Sequence, residues 1–171
     1  LPDYRLFDAD TYIGVVSGLK YFDGDLVLSA AHNRDDGQGD RFRVLRQGAL
    51  DGIDDTNGGV WERAHDDLIH SITVEGSGDD DDLWVDFSGG NPIPEGGLSF
   101  TDGDGMGMID GTADTVVYTF ADAHNGTVRI DGSEIICTNL DSYANDDLII
   151  AADRVFDFVG PTDDNISIRQ T

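Results

Sequence analysis

The segment 101–111 (TDGDGMGMIDG) alternates carboxylates with glycines and so has the composition of a cation-binding loop. Asp102, Asp104 and Asp110 supply hard oxygen ligands, and the glycines allow tight turns whose carbonyl groups point inward, which suits Ca²⁺. The spacing follows neither the nonapeptide calcium repeat, which needs tandem copies, nor the EF-hand loop, which ends in a Glu. We predict a calcium site at these three aspartates, with an unliganded acidic turn as the alternative.

A second acidic segment, 76–82 (GSGDDDD), places four carboxylates in succession. Neighbouring like charges repel each other, which favours bound cations or high salt. Because side chains alternate along extended backbone, the four cannot converge on one ion, but Asp80 and Asp82 share a face. We predict these two as further divalent-cation ligands, with a solvated loop as the alternative.

No segment has the pattern of a catalytic site. The nucleophile motif G-x-S-x-G is missing, and among 35 acidic residues some carboxylate pair always falls near a catalytic separation by chance. Cys137 is the only cysteine, so no internal disulfide can form, and its alternating position predicts a small core residue. An enzyme is therefore the less favoured interpretation, and we assign no catalytic or organic-cofactor residues.

The charge balance limits the partners. Thirty-five acidic against 10 basic residues give a net charge of −25, which repels DNA, RNA and anionic membranes. No apolar run approaches transmembrane length, so we expect no membrane insertion. Divalent cations, cell-surface polysaccharide and other surface proteins remain as partners. Abundant Asp with a single Lys is also typical of proteins adapted to high salt.

Short apolar or alternating runs between turn residues predict an all-β fold. They lie at 71–76, 83–87, 98–101, 115–120, 127–131, 134–139, 148–151, 155–159 and 165–169. This spacing indicates a sandwich, a barrel or a β-solenoid. We predict a parallel β-helix-like solenoid with antiparallel hairpins, with a β-sandwich as the alternative. Asn125-Gly126 and Asp131-Gly132 predict turns of an antiparallel meander formed by 116–120, 127–130 and 133–139.

The first third of the chain has its own pattern. Asp23-Gly24 predicts a hairpin turn, and 41–46 alternates strictly. The run SGLKYFDGDLVLSAA…DRFRVLRQG resembles one blade of a β-propeller. Since 48–59 is rich in Gly and Asp, we divide the chain into a small β meander at 1–59 and an acidic Gly/Asp-rich β module at 60–171.

The predicted core of the second module consists of the apolar residues in these runs. They are Val74, Leu83, Val85, Phe87, Leu98, Phe100, Val116, Tyr118, Phe120, Val128, Ile130, Ile136, Leu148, Ile150, Val155, Phe156, Phe158, Ile166 and Ile168.

Residues 69–171 resemble a known repeat module. The segments LWVDFSGGNPIPEGGLSFTDGDG, VVYTFADAHNGTVRIDGSEIICTNLD and AADRVFDF are similar to a recurrent module of very large Asp/Gly-rich bacterial surface or secreted proteins, whose first block runs L-x-V-D-x-S-G-G-N-P-I-P-x-G-G-L-x-F. Asn139 stands where that family has a turn glycine, and Asn tolerates the left-handed conformation best after Gly. The resemblance implies a structural or adhesive segment at the cell surface or outside the cell, with no catalytic residues to carry over.

Together these features predict a non-catalytic structural or adhesive module of a large extracellular protein, stiffened by divalent cations. The first residue is Leu1 rather than Met, so we expect a piece of a longer or processed protein. The alternative is a carbohydrate-binding or carbohydrate-active β-helix of the lyase or glycosidase type. An exposed aromatic platform at Trp61, Trp84 or Tyr143 would favour that alternative.

Overall fold

The computed structural model describes residues 19–22, 24–29, 39–48, 50–55, 60–65, 68–78, 80–102, 105–140 and 148–159. None of these segments forms a helix that could cross a membrane. The strands are β1 (Leu19–Phe22), β2 (Asp25–Ser29), β3 (Arg41–Gln47), β4 (Leu50–Asp55), β5 (Val60–His65), β6 (Ser71–Glu75), β7 (Asp82–Asp86), β8 (Leu98–Thr101), β9 (Met106–Phe120), β10 (Gly126–Ile130), β11 (Ser133–Thr138) and β12 (Leu148–Phe158). The predicted all-β fold is confirmed.

The strands form one open sheet that curls like half of a barrel, in the order β1-β2-β6-β8-β11-β10-β9-β7-β3-β4-β5, with β12 paired to β9. Two sets of strands in it are parallel. The first parallel series is β2, β6, β8 and β11, and the second is β3, β7, β9 and β12. Along the chain, the members of the two series alternate. We call a connection that leads from the first series to the second a passage. Since the strands of the first series are parallel, all passages leave them at the same end of the sheet.

The first parallel series is held together by two columns of buried side chains that lie in register. Leu26, Ile72, Leu98 and Ile135 form one column, and Leu28, Val74, Phe100 and Cys137 form the other. Each of these residues is at most 9% exposed, so the columns remove apolar surface from water continuously across four strands. This alternation of inward apolar and outward polar residues explains why short segments separated in sequence pair in one register.

The second parallel series contributes the facing half of the same core. Val44, Val85 and Ile109 are buried in register across β3, β7 and β9. In the neighbouring row β9 has Gly107, and the Leu140 side chain, which is completely buried, comes within 4.0 Å of the position that a Cβ atom would take there. The Leu140 side chain therefore fills the space that Gly107 leaves.

The predicted meander is confirmed as β9, β10 and β11, with one difference in its first connection. Asp131 (φ 50°) and Gly132 (φ 95°) form the tight turn between β10 and β11, as Asp-Gly predicts. Between β9 and β10, however, Gly126 already pairs with Phe120, so the connection is the five-residue loop 121–125 rather than a two-residue turn. The Asp122 carboxylate closes this loop by accepting hydrogen bonds from the His124 N–H and the Asn125 side chain.

The first third of the chain does not follow the strand order of a propeller blade. β1 and β2 form the predicted hairpin, but β3 is not the next strand in the sheet, because β2 pairs with β6 whereas β3 pairs with β4 and β7. The proposed boundary between 59 and 60 lies between β4 and β5, which pair with each other. Strands from both sides of this boundary thus share one sheet, and the two-module division stays a prediction.

The predicted core is confirmed in β6 to β10, except that Phe120 is only partly buried, and it is wrong in β11 and β12. Ile136 is 41% exposed, and the buried residues of β11 are its neighbours Ile135 and Cys137. In β12 only Ile149 is fully buried, whereas Leu148, Ile150, Val155, Phe156 and Phe158 are exposed. Ile166 and Ile168 lie outside the described residues. In the described part of the chain, β12 has a strand neighbour along one edge only.

Candidate functional site

In the described part of the chain, three passages from the first to the second parallel series each bury one aspartate. Asp40 precedes β3, Asp81 precedes β7, and Asp102 follows β8 just before β9. Their exposed fractions are 8%, 0% and 3%, which is unusual for carboxylates. We call these three residues the aspartate corner.

Side-chain alternation explains why these carboxylates point inward. Each aspartate lies two residues from a core residue of the adjoining strand: Asp40 from Phe42, Asp81 from Leu83, and Asp102 from Phe100. Since every second side chain of an extended chain lies on the same face, each aspartate continues the buried face of its strand beyond the strand end.

The carboxylates of the aspartate corner bind backbone N–H groups of their own and of neighbouring passages. Asp81 Oδ1 accepts a hydrogen bond from the Asp40 N–H (2.7 Å), and its Oδ2 accepts one from the Ser77 N–H. Asp102 Oδ2 in turn lies 3.3 Å from the Asp81 N atom. A chain of hydrogen bonds therefore crosses three passages, and the buried carboxylates satisfy N–H groups that would otherwise lie away from water.

Asn139 continues this chain into the connection after β11. Its side-chain Nδ2 donates a hydrogen bond to the Asp102 carbonyl oxygen (2.9 Å), and its own N–H donates to Asn125 Oδ1 (3.0 Å). Asn139 has φ 57°, so the left-handed conformation expected for this replacement of a turn glycine is confirmed. The residue both turns the backbone and connects it to the aspartate corner.

Two glycines make room for the aspartate corner. A Cβ atom on Gly76 would lie 2.2 Å from Asp102 Oδ1, and one on Gly105 would lie 1.7 Å from the Asp81 carbonyl oxygen. Real Cβ atoms do not approach oxygen this closely, so any other residue here would force the passages apart. The aspartate corner therefore requires glycine at both positions.

The five predicted metal ligands lie in different surroundings. Asp102 belongs to the aspartate corner, whereas Asp80 is exposed and Asp104 lies outside the described residues. Asp82 is half-buried and forms an ion pair with Arg41 (2.9 Å). Asp110 is in β9, in register with Asp86 of β7. Within the described ranges, no three His, Cys, Asp or Glu side chains are arranged to hold a metal ion.

Sequence reasoning missed Asp40 and Asp81, although a signal for both was present. The alternation of Leu83 and Val85 extends backwards to Asp81, and that of Phe42 and Val44 extends back to Asp40. Within the run of four aspartates at 79–82, Asp81 is a buried structural carboxylate, whereas its neighbour Asp80 is exposed.

A second polar cluster lies on the outward side of β3 and β7. The Arg43 guanidinium stacks over the Trp84 ring at 4.4 Å and forms an ion pair with the buried Asp86 carboxylate. Asp86 Oδ1 also accepts a hydrogen bond from the Ser88 N–H (2.8 Å). Burial by itself raises the pKa of Asp86, but the hydrogen bonds from Ser88 and Arg43 outweigh it and hold the pKa below its usual value.

The low pKa of Asp86 predicts a pH-dependent contribution to stability. A carboxyl whose pKa is lower in the folded than in the unfolded state stabilises the fold at neutral pH, and this is lost as pH falls below about 4. We expect the difference in unfolding free energy between wild type and Asp86→Asn to be largest near neutral pH and to shrink in acid. Urea unfolding followed by tryptophan fluorescence across this range measures it, with Asp80→Asn as the charge-matched control. A difference independent of pH would contradict the prediction.

The buried thiol offers no nucleophile. Cys137 is 5% exposed, as predicted for a small core residue, and burial raises its pKa to about 12. The thiolate, which is the reactive form, is therefore scarce at neutral pH.

The aspartate corner connects strands by hydrogen bonds between carboxylate and backbone groups, which is a structural role.

Comparison of this chain with protein families, with curated proteins and with solved structures finds no match.

Proposed function

We propose that the chain is a non-catalytic structural module of a large extracellular protein, built as a β-helix-like solenoid with antiparallel hairpins. The observation that carries the proposal is the alternation of the chain between two parallel series whose buried residues lie in register. One strand from each series makes one turn of the solenoid, and the buried apolar residues of each turn lie on those of the turn before. A β-sandwich, the alternative, is built from antiparallel neighbours and has no need of such columns.

The aspartate corner supports a structural role as well. Two of its hydrogen bonds run between neighbouring passages, since Asp81 binds the Asp40 N–H and Asp102 approaches the Asp81 N–H. Parallel strands separated by long connections form slowly and have few local contacts, so specific bonds between turns help to fix their register. Such a stack transmits force along its axis, which suits a segment of a surface protein.

The surface and adhesive setting rests on the sequence. Residues 83–100 resemble the first block of the repeat module of bacterial surface proteins. The net charge of −25 suits a chain that meets cations outside the cell. Polysaccharide or other proteins of the cell surface would be the partners of such a module.

Divalent cations are proposed to stiffen the acidic turns, and thermal unfolding tests this part of the proposal. A ligand that binds only the folded state raises its stability by mass action. We expect millimolar CaCl₂ to raise the Tm of the chain above its value in EDTA, and by more than NaCl of equal ionic strength does. Asp104→Ala and Asp80→Ala should reduce this rise, whereas Glu95→Ala, an exposed acid outside the predicted loops, should leave it unchanged.

Equal stabilisation by all salts would contradict the cation proposal, because it would mean that salt only screens the repulsion among carboxylates. The structural role would then stand without specific cation sites, as in a protein adapted to high salt.

The carbohydrate-active alternative has less support. Trp84, one of the aromatics considered for a sugar platform, is half-buried beneath Arg43, and its Nε1 atom is buried. The side chains of Trp61 and Tyr143 lie outside the described residues. A glycan that raised the Tm in the same unfolding experiment would favour this alternative.

A further inference from the structure

The loop between β9 and β10 ends in the dipeptide Asn125-Gly126, whose glycine is the first residue of β10. An asparagine side chain loses its amide most readily when glycine follows, because glycine has no side chain that hinders its backbone nitrogen. The dipeptide is therefore a candidate site of covalent change. Its reaction rate depends on how the fold holds the two reacting groups, which are the side-chain amide of Asn125 and the backbone nitrogen of Gly126.

Deamidation at this site is a displacement with no net oxidation or reduction. The Gly126 nitrogen gives its proton to solvent and attacks Cγ of Asn125, so the bond between nitrogen and Cγ forms while the bond between Cγ and Nδ2 breaks. Nδ2 takes up a proton from solvent and leaves as ammonia. Water then opens the cyclic imide at either of its carbonyl groups, which yields aspartate or isoaspartate. Water is thus the co-reactant, and the product carries an additional negative charge.

Hydrogen bonds hold both polar atoms of the Asn125 side chain. Its Nδ2 donates to the two carboxylate oxygens of Asp122 (2.8 and 2.9 Å), and its Oδ1 accepts from the Asn139 N–H (3.0 Å). The Asn125 backbone carbonyl also accepts a hydrogen bond from the Ala121 N–H (2.9 Å). The side chain must break its bonds to Asp122 and Asn139 before Cγ can turn towards the Gly126 nitrogen.

The attacking nitrogen is held as well. Gly126 is buried, and it pairs with Phe120 of β9 and with Cys137 of β11. In a strand that has a partner on each side, every N–H group points at one of the two neighbours. The Gly126 nitrogen therefore belongs to the ladder of the sheet, and it reaches Cγ of Asn125 when the start of β10 opens.

Loss of the amide would replace an attraction by a repulsion. Hydrogen bonds from the His124 N–H and from the Asn125 side chain lower the pKa of the Asp122 carboxyl, which is therefore ionised at neutral pH. In the aspartate product, the NH₂ group that donates to Asp122 becomes a carboxylate oxygen, which only accepts hydrogen bonds. Two negative groups would then face each other in the contact that closes the loop.

We propose that Asn125 is a deamidation site that the fold suppresses, and that its conversion to aspartate opens the loop 121–125. Refolding does not restore the amide, so the fraction of converted chains records how long the chain has spent in opened states. This inference concerns the loop alone and does not depend on the proposed structural role.

The rate of deamidation tests the first half of the proposal. The full chain is incubated at mildly alkaline pH in buffer and in urea, and the peptide that contains Asn125 is followed by mass spectrometry after digestion. We expect Asn125 to react at least about tenfold more slowly in buffer, because the reaction requires local opening. In urea, Asn57-Gly58 is the internal standard, since the same dipeptide should react at a similar rate. Equal rates for Asn125 in buffer and in urea would overturn the proposal.

Two variants show whether the loop contacts cause the protection. Asp122→Ala removes the acceptor of Asn125 Nδ2 and should raise the rate in buffer by a factor of about five. Asp80→Ala removes an equal charge at an exposed position outside the loop and should leave the rate within about twofold of the wild type. All three chains should react alike in urea. An equal effect of the two variants in buffer, or none from Asp122→Ala, would contradict the proposal.

Hydrogen exchange tests the second half with a variant that reproduces the aspartate product. In Asn125→Asp, exchange of the Ala121 N–H should be about tenfold faster, because the loop opens more often. The Asp114 N–H, which binds Asp131 at the other end of β10, should exchange as in the wild type. The double variant Asp122→Asn/Asn125→Asp interchanges the amide and the carboxylate and should restore slow exchange at Ala121. Unchanged exchange in Asn125→Asp, or no recovery in the double variant, would overturn this half.

Discussion

Replacing Gly105 by alanine should destabilise the fold by about 3 kcal/mol or more, which is the largest effect that we expect from adding a single methyl group. The added Cβ atom would lie 1.7 Å from the Asp81 carbonyl oxygen and 2.1 Å from Asp102 Oδ2. Neither oxygen can move freely. The Asp81 carbonyl belongs to the backbone that leads directly into β7, and the Asp102 side chain is buried. The two passages would have to separate, and the hydrogen bond between them would be lost.

Gly78→Ala is the matched control for this change. Gly78 belongs to one of the same passages, but a Cβ atom there would meet no atom within 4 Å. Urea unfolding of both variants should therefore show a large loss of stability for Gly105→Ala and a change within about 0.5 kcal/mol for Gly78→Ala. Similar stabilities for wild type and Gly105→Ala would contradict the tight packing of the aspartate corner.

Asp81→Ala should lower the free energy of unfolding by about 2 to 6 kcal/mol, since it leaves the Asp40 and Ser77 N–H groups without their carboxylate acceptor. A buried donor without a partner loses its hydration and gains nothing in return. Asp81→Asn should have an intermediate effect, because the amide keeps one acceptor oxygen but turns its NH₂ group towards the second donor.

The exposed neighbour provides the comparison for Asp81. Asp80→Ala removes the same charge from the same run of aspartates, and we expect little loss or a small gain in stability through reduced repulsion. Urea unfolding at matched ionic strength measures both variants. If the two substitutions had equal effects, the role of Asp81 would be one of charge rather than of hydrogen bonding to the neighbouring passage.

Local chemistry made part of this fold predictable. The turns at Gly24 and at Asp131-Gly132 follow from residues that accept positive φ, and the left-handed Asn139 follows from the same rule. The pairing of β10 with β11 needed no more than the Asp131-Gly132 turn and the alternation beside it, whereas β9 and β10 are joined by a five-residue loop rather than by the predicted turn at Asn125-Gly126. Each of these predictions depends on residues a few positions apart.

Long-range pairing was not predictable in the same way. β2 pairs with β6 rather than with β3, and nothing within either strand specifies the distant partner. Where two adjacent residues are both apolar, as Ile135 and Ile136 are, alternation does not say which one faces the core. In β12 the prediction failed because alternation indicates which side chains share a face, but not whether another part of the fold covers that face.

The candidate site shows the same division. Asp102 was identified from the composition of its loop, whereas Asp81 was hidden in a run of four identical residues. Composition shows that a segment is acidic, but whether an aspartate in it is buried depends on the neighbouring passages that pack against it. Only the alternation carried on from Leu83 distinguishes Asp81 from Asp80.

The columns of the first parallel series have a consequence for how such a chain can evolve. Leu26, Ile72, Leu98 and Ile135 are neighbours in space, but 46, 26 and 37 positions separate them along the sequence. The two longer intervals contain additional paired strands. β4 and β5 lie in the sequence between Leu26 and Ile72, and the pair formed by β9 and β10 lies between Leu98 and Ile135. Length can thus change between the columns while the residues within them keep their neighbours, so relatives of this chain need share neither a fixed period nor a common length to share its core.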